Sequence, residues 1–465
     1  MRATKLVCTL GPASGDRIPA LVEAGMDVAR INCSHQGPEE RDRLLRAVRE
    51  AASRAGRPVA IMADLSGPKV RLREIGGGAV ALAEGARFIL GPGREPGDEE
   101  GAATSYEDLG ADLEAGDRLL LSDGQVELRV AQSGDEVVTE VLRGGTVRSR
   151  AGLNAPSERL GVPAVTPKDR EDLSWALGAG VDIVAQSFVR RPEDVEELRG
   201  LLEGVPPLLV AKLETRPAVE SVEAILAVAD GVVVARGDLG VEAALEEIPV
   251  LQKELVARAR REGVPVVIAT QMLESMVEEE RPTRAEAGDV ANAVFEGADG
   301  ILLSAETAIG AHPEVVVRTA ARILEVAESR GAAFIAPPPQ GPSSPDDARA
   351  TCEAAADIAR EGGAVAVACF TRTGRTAALL AAARPLVPIV ALSPDEVVAR
   401  RLALFHGVLP RTCVVPEDTD GMLTMMEAAL REERCAGPGD PAVLVASTPF
   451  GRAHTNLLKV HRVGT

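Results

Sequence analysis

Eight short apolar runs, each followed by a helical segment, set the strongest limit on the fold of this chain. Runs that are apolar at almost every position are typical of parallel strands buried on both faces. Eight such strands alternating with helices predict an α/β fold, a closed (β/α)8 TIM barrel with its functional residues at the carboxyl ends of the strands. The predicted barrel strands are Lys5–Leu10, Val28–Asn32, Pro58–Asp64, Asp182–Phe188, Leu208–Leu213, Gly231–Ala235, Pro265–Thr270 and Gly300–Ser304.

The hydrophobic pattern changes between the third and fourth of these runs. From residue 70 to residue 154, apolar residues alternate with polar ones between glycine-rich turns, and Asp123-Gly124 before Val126–Val130 is a hairpin signal. This segment predicts a small all-β lid domain inserted after strand three, because it is too long and too regular for a decorative loop. The barrel domain would then comprise residues 1–69 and 155–335.

A proline-rich stretch, residues 336–345, has the composition of a linker. Beyond it, residues 346–465 predict a smaller C-terminal α/β domain. Within the barrel, Thr166–Asp169 and Thr283–Glu286 match the capping patterns of helix N-termini. The expected strands of the C-terminal domain are Ala364–Phe370, Pro388–Leu392, one near Thr412–Val415, and Ala442–Ser447.

The composition is that of an ordinary globular protein, with 46% hydrophobic and 26% charged residues. A net charge of −19 argues against a nucleic-acid partner, although phosphate substrates need only local positive charge. No run approaches the roughly 20 apolar residues of a membrane span, and the N-terminus enters a strand pattern without the features of a signal peptide. Six cysteines without paired spacing favour reduced thiols and a cytoplasmic location.

Charged side chains follow two successive predicted strands. Strand five ends in Lys212-Leu213-Glu214, and the alternation of side chains along a strand places Lys212 and Glu214 on one side. Strand six ends in Arg236-Gly237-Asp238. One such pair is as compatible with a salt bridge as with a functional site, but two on adjacent βα units favour an active site. Other polar residues fall at strand ends, namely Arg30, Asn32, Asp64, Thr270 and Glu306.

Segments at these strand ends, and over essentially the full length of the chain, resemble the pyruvate kinase family. Each segment is weak evidence alone. Six in the same order, within the same arrangement of barrel, insert and C-terminal domain, are specific together. The matching segments are Lys5–Ser14, Met26–His35, Ala211–Glu214, Val234–Glu242, Ala269–Met276 and Arg281–Glu286.

The resemblance implies an enzyme that moves the phosphoryl group of phosphoenolpyruvate to ADP, giving pyruvate and ATP in the last step of glycolysis. On that basis Glu214 and Asp238 would bind the divalent metal, Mg²⁺ or Mn²⁺, since Mg²⁺ usually takes one or two carboxylates together with water and phosphate oxygens. Lys212 would stabilise charge on the moving phosphoryl group. Arg30 would hold the phosphoryl end of the substrate.

The resemblance also assigns the other end of the substrate. Its carboxylate would bind the backbone N–H groups of Gly237 and Asp238, at an expected helix N-terminus where glycine permits close approach. Thr270 matches the family residue associated with protonation of the enolate. Because a threonine hydroxyl is a poor acid, it would end a water relay rather than supply the proton. Closure of the insert would exclude water.

The nucleotide and the assembly follow from the same resemblance. The family's lysine before the glycine at position 152 is replaced by Ala151, so a nucleotide contact from the insert would need another residue, for which Arg150 is a candidate. A homotetramer is implied, with no membrane partner. The nucleotide phosphates would lie against Asn32, Cys33, Ser34, His35 and Arg71.

One loop of the C-terminal domain combines hydroxyls, a glycine and two arginines ahead of a helix, a pattern that can hold a phosphate. It resembles the family's effector site, which predicts regulation by a phosphorylated sugar or nucleotide. A helix cap with solvated arginines is an equally compatible interpretation. The residues of this effector loop are Thr371, Arg372, Thr373, Gly374, Arg375 and Thr376.

One departure from the family pattern concerns the monovalent cation. Asn32, Ser34 and Asp64 match the family's potassium ligands, and Leu65 lies in the same region, but Lys69 replaces the glutamate of potassium-dependent members. The ammonium of Lys69 could supply the charge that potassium otherwise brings, and it would repel a second cation. The sequence therefore predicts activity without added potassium. The alternative is that Lys69 merely pairs with a neighbouring carboxylate.

Two other functions compete with a kinase. A metal-dependent lyase or aldolase acting on pyruvate-like substrates would use the same pair of carboxylates to bind an enolate, but it would not need Lys212, Arg30 and a lid. A regulatory sensor of sugar phosphates with an inactive barrel is disfavoured, because the metal and phosphate residues are all present.

Overall fold

The computed structural model describes residues 2–335 except 123, 157, 203 and 205, together with residues 346–448 and 455–464. The predicted linker at 336–345 lies outside the described residues. The first part of the chain alternates strands and helices as expected. Its elements are β1 (Lys5–Leu10), α1 (Ile18–Ala24), β2 (Val28–Asn32), α2 (Pro38–Ala55) and β3 (Ala60–Asp64).

The insert after β3 is built almost entirely of strands, as its alternating pattern predicts. Its elements are β4 (Ala79–Leu82), β5 (Arg87–Leu90), β6 (Gly101–Ala102), α3 (Leu109–Asp112), β7 (Arg118–Leu121), β8 (Val126–Gln132), β9 (Val137–Arg143), β10 (Gly145–Arg148) and β11 (Leu153–Asn154). Six of these strands form one sheet in the order β11-β7-β8-β9-β5-β6, and β10 pairs with β4. The predicted hairpin is confirmed, since β7 and β8 are antiparallel with Leu121 opposite Val126.

The chain then returns to the barrel. Its elements are α4 (Pro167–Ala179), β12 (Ile183–Gln186), α5 (Pro192–Arg199), β13 (Leu208–Leu213), α6 (Arg216–Glu220), α7 (Val222–Val228), β14 (Gly231–Ala235), α8 (Arg236–Glu242), α9 (Ile248–Glu262), β15 (Val266–Ala269), α10 (Arg284–Glu296), β16 (Gly300–Leu303), α11 (Ala305–Ala308) and α12 (Pro313–Arg330). Both predicted helix caps are confirmed, at Thr166 and at Thr283, and each forms a capping box.

Eight parallel strands close into the predicted barrel, in the order β1-β16-β15-β14-β13-β12-β3-β2. Their side chains are buried on both faces. Leu6 and Cys8 belong to the apolar layer shared with the surrounding helices, whereas Val7 belongs to the layer inside the barrel. This double burial explains why the strands are continuous apolar runs rather than alternating ones. Among the described residues, no helix is both long and apolar enough to cross a membrane.

Aspartates at the amino-terminal ends of the barrel strands fix the opposite face of the barrel. Asp182 accepts the backbone N–H of Ile61 at 2.8 Å, and Asp299 accepts that of Val266 at 2.9 Å. Both also pair with arginines from beyond residue 346. Arg400 lies 2.8 Å from Asp182, and Arg384 lies 3.0 Å from Asp299. The C-terminal domain is therefore attached to the face away from the strand ends that carry the polar residues.

The C-terminal domain is an α/β sheet in the order β19-β18-β17-β20-β21, with β21 antiparallel to β20. The strand expected near Thr412–Val415 lies earlier in the chain, because Val414 and Val415 are exposed and only the preceding segment pairs with β18. The final strand β21 was not predicted. The elements are α13 (Asp347–Glu361), β17 (Ala366–Phe370), α14 (Arg375–Ala383), β18 (Ile389–Ser393), α15 (Glu396–Arg401), β19 (Val408–Thr412), α16 (Thr419–Glu432), β20 (Pro441–Ala446) and β21 (Leu457–Arg462).

Candidate active site

The carboxyl ends of the barrel strands, called here the barrel mouth, bring Lys212 between two acids. Its ammonium lies 2.8 Å from Glu214 Oε1 and 3.4 Å from Asp64 Oδ1, and donates to Ser187 Oγ at 2.8 Å. Burial lowers the pKa of Lys212, but the carboxylates of Asp64 and Glu214 outweigh it, so the pKa is raised overall. Lys212 is therefore a fixed cation at neutral pH. Nothing in the sequence indicated that Ser187 is part of the site.

Arg30 lies next to Lys212 on the same carboxylate. Its Nε is 2.6 Å from Asp64 Oδ2, and its Nη1 donates to Thr9 Oγ1 at 2.8 Å. Burial of Asp64 would raise the pKa of its carboxyl, but Arg30 and Lys212 hold it below its usual range. Asp64 therefore aligns two cations at the barrel mouth, which suits an anion with more than one negative charge.

Glu214 and Asp238 are the two acids predicted to bind a metal. Glu214 is buried, and its Oε2 accepts the backbone N–H of Phe188 at 2.9 Å. Its Oε1 makes no hydrogen bond of good geometry, despite its proximity to Lys212. Burial raises the pKa of Glu214, Lys212 offsets this in part, and the negative charge of Asp238 raises it further, so the two carboxylates influence one another.

These donors fit a divalent metal. A buried carboxylate oxygen without a hydrogen bond, beside a second carboxylate, is a donor set that Mg²⁺ takes when water and phosphate oxygens complete its shell. The described residues contain no group of three or more His, Cys, Asp or Glu side chains that could hold a metal by themselves. The fit is thus to a metal shared with a substrate rather than to a closed protein cage.

Lys69, predicted beside the monovalent-cation residues, contacts one of these acids. Its ammonium lies 2.8 Å from Asp238 Oδ1 and 5.6 Å from the centre of the Phe188 ring. It therefore pairs with a neighbouring carboxylate, as the alternative interpretation of the sequence held. Asp64 pairs with Arg30 and Lys212. Leu65 is buried against the barrel, its backbone N–H bonded to Ala185.

Thr270 follows β15 in an unusual backbone conformation, with φ at 76°. Its Oγ1 accepts the backbone N–H of Gly237 at 3.1 Å, so the predicted protonation residue and the predicted carboxylate-binding segment are in contact. The carbonyl of Thr270 accepts from Arg236 Nη2 at 2.5 Å, and Arg236 Nη1 lies 2.6 Å from Asp289. The sequence marked Arg236 only as a charge at a strand end. Arg236 reaches Thr270 because β14 and β15 are neighbouring strands, with Ala235 opposite Ala269.

The predicted nucleotide residues after β2 lie among cations. Burial raises the pKa of the Cys33 thiol to about 12, and the carbonyl of this residue accepts from Arg41 Nη2 at 2.8 Å. Partial burial and the positive charges of Arg71, Arg30 and Lys168 lower the pKa of His35. Such a cluster suits phosphate groups.

Lys168, in the first turn of α4, was missed as a site residue because the sequence marked it only as part of a helix cap. Its ammonium donates to Cys33 O at 2.8 Å and to Ser66 Oγ at 3.1 Å. Ser34 Oγ also bonds Ser66 Oγ, at 3.1 Å, and its backbone N–H bonds Asn32 Oδ1 at 3.0 Å. The sequence offered one hint that Lys168 is a site residue, namely that it is one of only six lysines.

The effector loop lies in the C-terminal domain, away from the barrel mouth. Thr371 Oγ1 accepts the backbone N–H of Gly374 at 3.0 Å, and Gly374 has φ of 90°. The Thr376 hydroxyl lies 2.8 Å from that of Thr455. Arg375 pairs with Asp346 at 2.6 Å, while Arg372 and Thr373 are exposed. The loop is therefore preformed at its base and presents its arginines to solvent.

Paired cations beside a pair of carboxylates, under an inserted domain, suit the charge that moves in phosphoryl transfer. Comparison with known proteins agrees, and the chain is a phosphotransferase. Family profiles for "Pyruvate kinase, barrel domain" and "Pyruvate kinase, alpha/beta domain" match residues 1–317 and 349–461. The chain belongs to the pyruvate kinase family.

Full-length relatives support the same family. The chain is 43% identical over 470 residues to the pyruvate kinase of Corynebacterium glutamicum, covering 100% of this chain and 98% of that protein. It is 43% identical over 472 residues to the pyruvate kinase of Mycobacterium tuberculosis, with 100% and 99% covered. With the pyruvate kinase of Geobacillus stearothermophilus it shares 41% identity over 471 residues, covering 99% of this chain and 80% of that protein.

Proposed function

We propose that this chain transfers the phosphoryl group of phosphoenolpyruvate to ADP, with pyruvate and ATP as products. The observation that carries the proposal is the placement of Lys212 and Arg30 on Asp64 at the barrel mouth. Phosphoryl transfer depends on neutralising charge and aligning groups rather than on covalent chemistry. A lyase or aldolase that only binds an enolate would not need two cations held side by side.

The binding roles follow the same geometry. Lys212 stabilises negative charge on the phosphoryl group as it moves, and Arg30 holds the phosphoryl end of the substrate. Glu214 and Asp238 hold Mg²⁺ or Mn²⁺, which when bound neutralises charge on phosphate oxygens and orients them. The backbone N–H groups of Gly237 and Asp238 bind the substrate carboxylate, and the Gly237 N–H exchanges its bond to Thr270 Oγ1 for one to the substrate.

Protonation and nucleotide binding involve the remaining residues. Thr270 ends a water relay that delivers a proton to the enolate carbon. The insert excludes water from the barrel mouth when it closes, so that the phosphoryl group reaches ADP. The ADP phosphates lie among the cations around His35, with contributions from Asn32, Cys33, Ser34, Arg71 and Lys168.

A coupled assay of ATP formation tests the reaction. Phosphoenolpyruvate, ADP and Mg²⁺ should give ATP and pyruvate in equal amounts. Lys212→Met should lower kcat by about 100-fold or more, because removing one preorganised charge from a transition state typically has that effect. Lys253→Met, which removes an exposed lysine of α9 paired with Glu296, is the matched control and should keep the parent activity. Consumption of a pyruvate-like substrate without ATP would favour the lyase.

Activity without added potassium is a second part of the proposal. It is supported by the lysine at position 69, which brings a fixed positive charge to the barrel mouth. Turnover should be equal in buffers whose only monovalent cation is sodium, potassium or tetramethylammonium. A large stimulation by potassium alone would contradict this part and leave the reaction assignment intact.

Regulation through the effector loop and assembly as a homotetramer are the third part. The exposed Arg372 and Arg375 beside a preformed turn support a phosphate-bearing sugar or nucleotide as the effector. One candidate from a panel of such compounds should lower the phosphoenolpyruvate concentration needed for half-saturation, and Arg375→Ala should abolish that shift. Arg431→Ala, on α16 of the same domain, is the control. Light scattering after gel filtration tests the tetramer.

The domain limits of 1–69, 70–154, 155–335, 336–345 and 346–465, and a cytoplasmic location, stay predictions within this proposal. Limited proteolysis followed by mass spectrometry of the fragments tests the limits, since cleavage should concentrate at the linker and at the two connections of the insert.

A further inference from the structure

Lys69 lies where the insert leaves the barrel, and its ammonium is held by Asp238 at 2.8 Å. Both side chains are mostly shielded, with 18% and 29% of their surface exposed. A shielded ion pair is weakened less by solvent and salt than one on the open surface. The pair joins the start of the insert to α8 of the barrel.

The two connections of the insert hold Lys69 in this position. Arg71 and Gly152 form an antiparallel bridge between them, with backbone bonds from Leu72 to Ala151 and from Leu153 to Val70, both 2.9 Å long. A Cβ atom on Gly152 would lie 2.8 Å from Lys69 Cε, closer than real contacts allow. Glycine at this position therefore lets the second connection pass directly over the lysine stem.

The contact occupies a carboxylate that the proposed function assigns to the divalent metal. The Lys69 ammonium takes up one acceptor site of Asp238 Oδ1, which weakens that oxygen as a metal donor, and a positive charge at that distance also repels a cation. Glu214, the other acid of the pair, lies 2.8 Å from the ammonium of Lys212. Each acid therefore has its own lysine, and the one that belongs to Asp238 comes from the start of the insert.

We propose that Lys69 competes with the divalent metal for Asp238, so that the ammonium contact and metal binding weaken one another. This inference rests on the proposed metal pair of Glu214 and Asp238. It assigns Lys69 a second role, that of lowering metal affinity in the absence of substrate, besides supplying charge at the barrel mouth. The affinity of the free enzyme for its metal is then set in part by a residue that is not a metal ligand.

Mn²⁺ titration of the substrate-free protein, followed by the electron paramagnetic resonance of unbound Mn²⁺, tests the inference without any assay of activity. Lys69→Met should lower the Mn²⁺ Kd by roughly twofold to fivefold or more, since even exposed ion pairs contribute up to about 1 kcal/mol and this one is mostly shielded. Lys69→Arg, which keeps the charge, should stay near the parent value. An unchanged or higher Kd for Lys69→Met would overturn the proposal.

A matched control separates competition from a general change of charge. Lys168→Met removes another ammonium from the same end of the barrel, one that lies on Cys33, Ser66 and Asp172 rather than on a metal acid. Its Mn²⁺ Kd should change less than twofold. An equal decrease in both variants would show that net charge alone is responsible and would refute competition.

Two further variants separate this inference from the proposed metal site. Glu214→Gln and Asp238→Asn should each raise the Mn²⁺ Kd at least tenfold. If neither does, the metal pair itself is wrong, and the competition fails with it. If both do, but Lys69→Met does not tighten binding, the metal pair stands and only the role of Lys69 is refuted.

Discussion

Replacing Gly237 by alanine places one methyl group at the contact on which the barrel mouth depends. A Cβ atom at this position lies 2.8 Å from Thr270 Cγ2 and 3.5 Å from Thr270 Oγ1. Thr270 cannot retreat easily, since its side chain is β-branched, its φ is 76°, and Arg236 holds its carbonyl. The backbone of α8 is itself compatible with alanine.

The structure allows the effect on stability to be bounded. Alanine is favoured over glycine inside a helix by about 1 kcal/mol. Forcing a methyl group into a packed contact costs about 1–3 kcal/mol. The net destabilisation is then about 0–2 kcal/mol, small enough for the variant to fold. The free energy of unfolding should therefore change little, and loss of activity would report on the site.

The expected effect on catalysis is larger. The methyl group must move the Thr270 hydroxyl or the Gly237 N–H, and a displacement of about 1 Å in a reacting site can lower the rate about 100-fold. The coupled ATP-forming assay should show kcat/KM for phosphoenolpyruvate reduced by that order, with thermal unfolding near the parent value. Parent-like kinetics would refute the packing argument.

Gly240→Ala is the matched control in the same helix. Its added Cβ would meet Ile248 at 3.8 Å, an ordinary contact, so the variant should be as stable as the parent or more so, with unchanged kinetics. If Gly240→Ala were inactivated as strongly as Gly237→Ala, rigidity of the helix rather than the contact with Thr270 would be responsible.

Two further predictions concern the interface between the barrel and the C-terminal domain. Burial lowers the pKa of Lys5 from 10.5 to about 8, so below pH 8 the folded state carries a buried charge, and the free energy of unfolding should rise between about pH 8 and pH 10.5. Lys5→Met should thus raise the melting temperature at pH 7. The gain should be at most about 3 kcal/mol, the equivalent of the pKa shift, reduced by the loss of the hydrogen bond to Val408. The gain should shrink at pH 10, and an equal gain at both pH values would contradict the lowered pKa of Lys5. Arg400→Met should destabilise the protein by about 1–3 kcal/mol, since it deprives the buried Asp182 of one of its two cations. Calorimetry measures the melting temperature, and an unchanged value would refute this prediction.

The barrel could be predicted because its signals are local. The strands β1, β13 and β14 have the bounds that the sequence predicted, since burial on both faces makes them mostly apolar over their whole length. The edge strand β21 gave no such signal. Its segment alternates imperfectly and carries exposed Val460, and only pairing with β20 makes it a strand.

The sequence by itself determined that there are eight buried strands and that several of them end in charged or polar residues, because side-chain alternation and the cost of burying a charge act within a few residues. Which cation meets which acid was decided only by the tertiary structure. Arg30 and Asp64 are 34 residues apart in the chain, and Lys69 and Asp238 are 169 apart. Closure of the barrel and the path of the insert bring them to hydrogen-bond distance. Electrostatic pairing depends on distances in space, which no local pattern encodes.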